Sequence, residues 1–137
     1  MKKHFMNLTP SPLEMIRNRK KTIELRLYDE KRKMISIGDS IVFVNTEDSK
    51  DTLSVNVVDL FVFDSFGELY NNLPLLECGY TKDDIETASP DDMEKYYSKE
   101  KQKQYGVVGI KISLQNYEGN VSTKGVQACG VGQNEKV

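Results

Sequence analysis

One histidine and two cysteines are all the imidazole and thiol groups that these 137 residues contain. His4 stands alone near the start, and Cys78 and Cys129 lie far apart with no Cys-x-x-Cys spacing. We therefore expect no metal site, no disulfide framework and no cofactor. Long apolar runs are missing as well, since none approaches the roughly 18 residues that a membrane helix needs. The apolar stretch within "MKKHFMNLTPSP" breaks at Thr9 and Pro10, too early for a signal-peptide core. The expectation is a cytoplasmic protein with no membrane partner. Internal repeats and regular βαβ alternation are also absent, which argues against solenoids and doubly wound sheets.

What is present fits one globular domain: 38% hydrophobic and 29% charged residues are enough for a core with a solvated surface. A formal net charge of -2 conceals an uneven distribution. Residues 17 to 33 hold eight Lys/Arg against three acids, a local +5, so the remainder carries -7. Because salt confines surface fields to roughly 8 to 10 Å, such a segment suits local attraction of a phosphate-bearing partner. It equally suits a loop kept soluble by its lysines.

Local signals order the chain. "SPLE" at 11 to 14 predicts a helix capped by Ser11 with Pro12 at its first position, running to about Asn18 and burying Leu13 and Ile16. Thr22 to Leu27 alternates like a strand. A turn at Gly38 and Asp39 leads to Ile41 to Asn45, apolar on both sides and hence central in its sheet. Between 53 and 63 the apolar parity switches from Leu53, Val55 and Val57 to Val58, Leu60 and Val62, which predicts a β-bulge in a sheet bending towards a barrel. "SFGE", "TKDD" and "SPDD" read as three helix starts, the last helix running through Met93, Tyr96 and Tyr97 to just before Gly106. "GVVGIKISL" supplies the closing strand. We place a domain over 1 to 114 and an irregular tail over 115 to 137, where Cys129 reads as an incidental thiol.

Alternation places Thr22, Glu24 and Arg26 on the face opposite Ile23, Leu25 and Leu27, with Lys21 at the mouth. Two readings stand. One is an exposed ion pair worth about 0 to 1 kcal/mol and functionally silent. The other is a cleft in which Glu24 accepts from a base or ribose donor while Lys21 and Arg26 meet phosphate or carbonyl oxygens. Tyr28 shares that parity and would sit at the rim, with Lys20 alongside. Tyr96, Tyr97 and Tyr105 are further stacking surfaces, whereas Phe61, Phe63 and Phe66 read as core. His4 reads as a strand-end residue.

"RKKTIELRLYDEKRKMISIGDSIVF" resembles the ASCH (activating signal cointegrator homology) family, whose hallmark is G-x-K-x-x-E-x-R. Lys21, Glu24 and Arg26 match it, and Arg19 stands where the family has glycine. "FDSFGELYNNLPLLECGYTKDDI" and "DMEKYYSKEKQKQYGVVGI" extend the likeness over roughly residues 3 to 114. The resemblance implies an α+β, PUA-like fold: a compact mixed β-barrel with flanking helices and a helical insertion before the last strand. It further implies a cleft lined by Lys21, Glu24 and Arg26 that binds RNA or a modified nucleoside, with outer help from Lys20, Lys31, Arg32 and Lys33. With arginine at 19, the turn before Lys21 is expected to have ordinary dihedrals.

One branch of the family is similar to amidohydrolases of 4-acetylcytidine that use a lysine, a threonine three residues on and a distant glutamate. Lys21 fits the first place. Glu24 occupies the second, with Thr22 the nearest hydroxyl, and the third falls near Cys78, beside Glu77. Lys21 with Glu24 or Glu77 would have to form some other acid and base pair. An adaptor role, in which the acidic stretch 82 to 94 meets a basic protein, is the third alternative.

Overall fold

The computed structural model describes residues 1–115. The 115–137 tail, apart from its first residue, and Cys129 with it lie outside the described residues. Five strands form one mixed sheet: β1 (Lys3–Leu8), β2 (Ile23–Leu27), β3 (Ser40–Asn45), β4 (Asp48–Phe63) and β5 (Val107–Leu114), in the spatial order β1-β3-β4-β5-β2. β1 runs parallel to β3, and the other neighbours are antiparallel. β3 thus lies between β1 and β4, as its two-sided apolar character predicts. The result is the α+β, PUA-like half-barrel with β1 and β2 at its two ends. Among the described residues no helix is long and apolar enough to cross a membrane.

The bend in the sheet has a local cause. Val57 pairs with Ile112 and Asp59 with Lys111, so Val58 is an extra residue that the ladder skips. This is the bulge that the parity switch predicts. Its consequence for burial is narrower than expected. Leu60 packs against the core, but Val58 and Val62 remain 45% and 50% exposed.

Among the described residues there are four α-helices: α1 (Pro10–Arg17), α2 (Glu30–Lys33), α3 (Phe66–Asn72) and α4 (Lys99–Tyr105). α1 begins two residues before the predicted start. Thr9 is its N-cap, without a side-chain cap bond, and Pro10 takes the early position that needs no N–H. Leu13 and Ile16 are buried as predicted. The α1 end departs from expectation more sharply. Arg19 has φ 64°, in the left-handed region. Its N–H donates to the Ile16 carbonyl and the Lys20 N–H to the Met15 carbonyl, at 3.0 and 2.8 Å. This double return bond is a Schellman closure with arginine in the place that glycine favours. The turn before Lys21 therefore does not have ordinary dihedrals.

In the insertion, Ser65 caps α3 by accepting from the Glu68 N–H, and Ser89 opens a 3-10 helix (Pro90–Lys95) with a full capping box. "TKDD" makes no α-helix: the Thr81 N–H and hydroxyl both donate to Asp84 Oδ1, and only a 3-10 turn (Ile85–Thr87) follows. Nor does one helix continue from Pro90 to Gly106. It breaks after Lys95, and Ser98 caps α4 by accepting from the Lys101 N–H.

Two cores result. One lies between the sheet and α1, around Met6, Leu13, Ile41, Phe43 and Ile110; the other lies between β2, β5 and the insertion, around Ile23, Leu25, Phe66 and Leu69. β2 separates them. Its odd residues enter the second core, and its even residues look into the half-barrel, where Glu24 pairs with Ile110 and Arg26 with Val108.

Candidate functional site

This placement answers why a strand alternates Glu24 and Arg26 with Ile23, Leu25 and Leu27. The polar face is an interior one. Glu24 is only 3% exposed, and its carboxylate is held from both sides. Arg26 Nε donates to Oε2 at 2.6 Å, and Lys21 Nζ stands 2.8 Å from Oε1. The ammonium carries three donors and engages Oε1 as the guanidinium engages Oε2, so each carboxylate oxygen has a cationic partner. Burial pushes the Glu24 carboxyl up; the charges of Lys21 and Arg26 overcome that and hold it below the ordinary carboxylate range. The carboxylate stays ionised. An ion pair exposed on an open sheet face is thereby excluded.

Arg26 has a second task. Its Nη2 donates to the Asn7 carbonyl on β1 at 2.8 Å, so the side chain spans the gap between the two end strands of the half-barrel. Lys21 packs along Gly79, where glycine is required by the backbone and not by this contact. A Cβ there would meet Lys21 Cδ at 3.4 Å and Nζ at 3.7 Å, and Gly79 itself has φ 114°.

These three side chains open onto a cavity of about 590 Å³ between the half-barrel and the insertion. That is the size of a small-molecule site. The near wall is Lys21, Glu24 and Arg26 with the start of α1 and the end of β1; the far wall comes from residues 70 to 97. There Tyr80 donates to Asp92 Oδ2 at 2.6 Å, and the Tyr70 and Tyr80 hydroxyls are 2.7 Å apart. Tyr97 also lines the cavity, its ring stacked on Phe66 with centroids 6.1 Å apart. Burial raises the Tyr97 hydroxyl pKa against the opposing pull of Arg26. Tyr96, 71% exposed, stands at the mouth.

Not every residue singled out in the sequence gathers here. Thr22 does not line the cavity; its hydroxyl donates to Glu77 Oε1 at 2.8 Å, and Lys111 Nζ lies 3.3 Å from the same oxygen. Tyr28 packs against the first core beneath Lys33, whose Nζ is 5.7 Å from the ring centre, so it is not part of the wall. Lys20 is exposed and outside the wall, and Tyr105 packs against the second core. Arg32 is tied to Asp29 at 3.1 Å. His4 is bonded to Asp39 at 2.8 Å, a structural tie at the start of β1. Tyr70, Tyr80 and Asp92 were missed as site residues; the one available signal was the "SPDD" cap that fixes Asp92. Among the described residues no cluster of three or more His, Cys, Asp or Glu is arranged for a metal ion.

A mixed half-barrel carrying a Lys-Glu-Arg trio around a buried carboxylate over a cleft defines a small module of the PUA-like class. The family model described as the ASCH domain matches residues 6–115, and the chain belongs to that family. It is similar to the crystal structure of hypothetical protein PH0355, at 35% identity with a TM-score of 0.69, covering 82% of this chain and 99% of that one. It is similar also to the solution structure of protein PF0455 from Pyrococcus furiosus, at 37% identity, TM-score 0.63, and 84% and 99% coverage. The fold alone is shared with the ZmASCH protein from Zymomonas mobilis, in its S128A form, at 13% identity, TM-score 0.58, and 80% and 66% coverage. No curated protein matches the chain significantly.

Proposed function

We propose that the chain binds a nucleoside unit, free or presented by RNA, in the cleft over β2. The observation that carries this reading is the buried, ionised Glu24, gripped by Lys21 and Arg26 at the wall of a cavity of nucleoside size. A base amino or imino N–H donates to the Glu24 carboxylate, whose oxygens each accept more than one hydrogen bond. Lys21 and Arg26 meet carbonyl oxygens of the same ring, and Tyr97 or Tyr96 offers it a stacking face. A stacked base is worth about 1 to 3 kcal/mol, and a hydrogen bond to a charged group about 1.5 to 3 kcal/mol.

Binding is favoured over hydrolysis because the carboxylate paired with Lys21 occupies the place where the hydrolytic branch carries a hydroxyl, and Thr22 is engaged elsewhere by Glu77. Calorimetry or saturation-transfer NMR against a nucleoside panel tests the reading. Glu24→Gln keeps the shape but removes the charge, and it should weaken the ligand found by about 10- to 100-fold. Unchanged affinity in Glu24→Gln and Arg26→Ala, with both variants folded, would remove the cleft from the binding site.

A further inference from the structure

The charges on the cavity wall discriminate among nucleosides in a definite way. Its bases are Lys21, Arg26 and Lys95; its acids are Glu24, Asp84 and Asp92. Their formal charges cancel. Lys21 and Arg26 are moreover already engaged by Glu24, which lowers what they offer an incoming anion. The far wall presents acceptors. Tyr80 gives its proton to Asp92, so the proton between the two phenols comes from Tyr70, whose oxygen then faces its surroundings with lone pairs only. Asp92 Oδ1 and Asp84 Oδ2 accept nothing from the described residues. The Glu24 carboxylate, held between Lys21 and Arg26, adds an acceptor on the opposite side. The exposed cations Arg19, Lys20, Lys31 and Lys33, which a phosphate would seek, are all outside the cavity wall.

We infer that the cleft takes an uncharged nucleoside and rejects phosphate, with the base donating to Glu24 and the ribose hydroxyls donating to the Asp84 and Asp92 wall. This rests on the nucleoside reading above and narrows its ligand class. A ribose diol donates to acceptors that no described residue fills. A phosphate brings between one and two negative charges against two carboxylates in a cavity with no surplus of positive charge.

The test is calorimetry on the full chain with the four ribonucleosides and 4-acetylcytidine, each beside its 5′-monophosphate, at about 50 and 300 mM salt. The nucleoside that binds should do so about tenfold or more tighter than its monophosphate. Its affinity should change less than about twofold with salt, since no counterions are released. A monophosphate or short oligoribonucleotide that binds tighter than the nucleoside, or loses affinity steeply with salt, overturns this inference and leaves the nucleoside-unit reading standing. Binding by none of them overturns both. Asp84→Asn keeps the oxygen that caps Thr81 while removing one charge, and it should narrow the preference for nucleoside by about threefold or more. An unchanged ratio in that variant overturns the assignment of the far wall.

Discussion

Arg19→Gly should stabilise this protein. The residue closes α1 with φ 64°, making no hydrogen bond or ion pair through its side chain among the described residues. An L-residue held left-handed costs roughly 1 to 2 kcal/mol through the clash of Cβ with the backbone. Glycine removes that clash but gives back about 0.5 to 1 kcal/mol through the greater freedom of the unfolded chain. The balance is a gain of about 0.5 to 1 kcal/mol, or roughly 2 to 5 °C in Tm for a domain of this size. Thermal unfolding by circular dichroism reads it directly, with urea midpoints as a second measure. Arg19→Ala is the control, because alanine removes the charge beside Lys20 and Lys21 while keeping Cβ. Equal stabilisation by glycine and alanine would mean that charge repulsion, not the backbone, carries the cost. No gain from glycine would refute the argument outright. Nucleoside affinity should be the same in both variants, since Arg19 is outside the cavity wall.

Other expectations follow from the same geometry. Glu24 and Asp39 both have carboxyls held below their ordinary values of 4.5 and 3.8, the latter chiefly by the hydrogen bond from His4. A depressed native pKa means that the unfolded chain takes up protons first. Stability is therefore complete above those values and falls as pH drops below them, and Glu24→Gln should flatten part of that acid limb in pH-dependent urea melts. Glu24→Ala, which strands two cations, should cost about 3 to 5 kcal/mol. Gly109→Ala places a Cβ 2.7 Å from Leu73 Cδ1 and 3.2 Å from Ile23 Cγ2, and should destabilise by about 1 to 3 kcal/mol in the same melts. Burial pushes the Cys78 thiol up to about 11. Iodoacetamide should consequently label it slowly at neutral pH in the native protein and rapidly in urea.

How much of this is written in local sequence depends on the range over which each signal acts. Caps are short-range devices, so Ser65 and Ser89 reveal helix starts correctly, and the skipped Val58 shows through as a change of parity. Thr81 and Asp84 make the same cap bonds as a helix start, but a cap cannot by itself propagate a helix, and only one 3-10 turn follows. The four-residue α2, capped by Asp29, is too short to display any period. Within the site, Lys21, Glu24 and Arg26 belong to one local segment and are readable as a unit. The opposite wall is not, because Tyr70, Tyr80 and Tyr97 reach it only through packing of the insertion against β2 and β5. Tyr28 illustrates the converse. It continues the parity of Glu24 and Arg26, yet β2 ends at Leu27, and beyond that end alternation no longer decides where a side chain goes.

The guanidinium of Arg26 bonds at once to the carboxylate that would greet a guest and to the Asn7 main chain across the seam. One rivet therefore serves both recognition and closure of the shell. A guest that competes for that guanidinium loosens the rim, and one that braces it tightens the rim. Amide exchange along the margins of β1 and β2 should thus register occupancy even where no atom of the guest touches them.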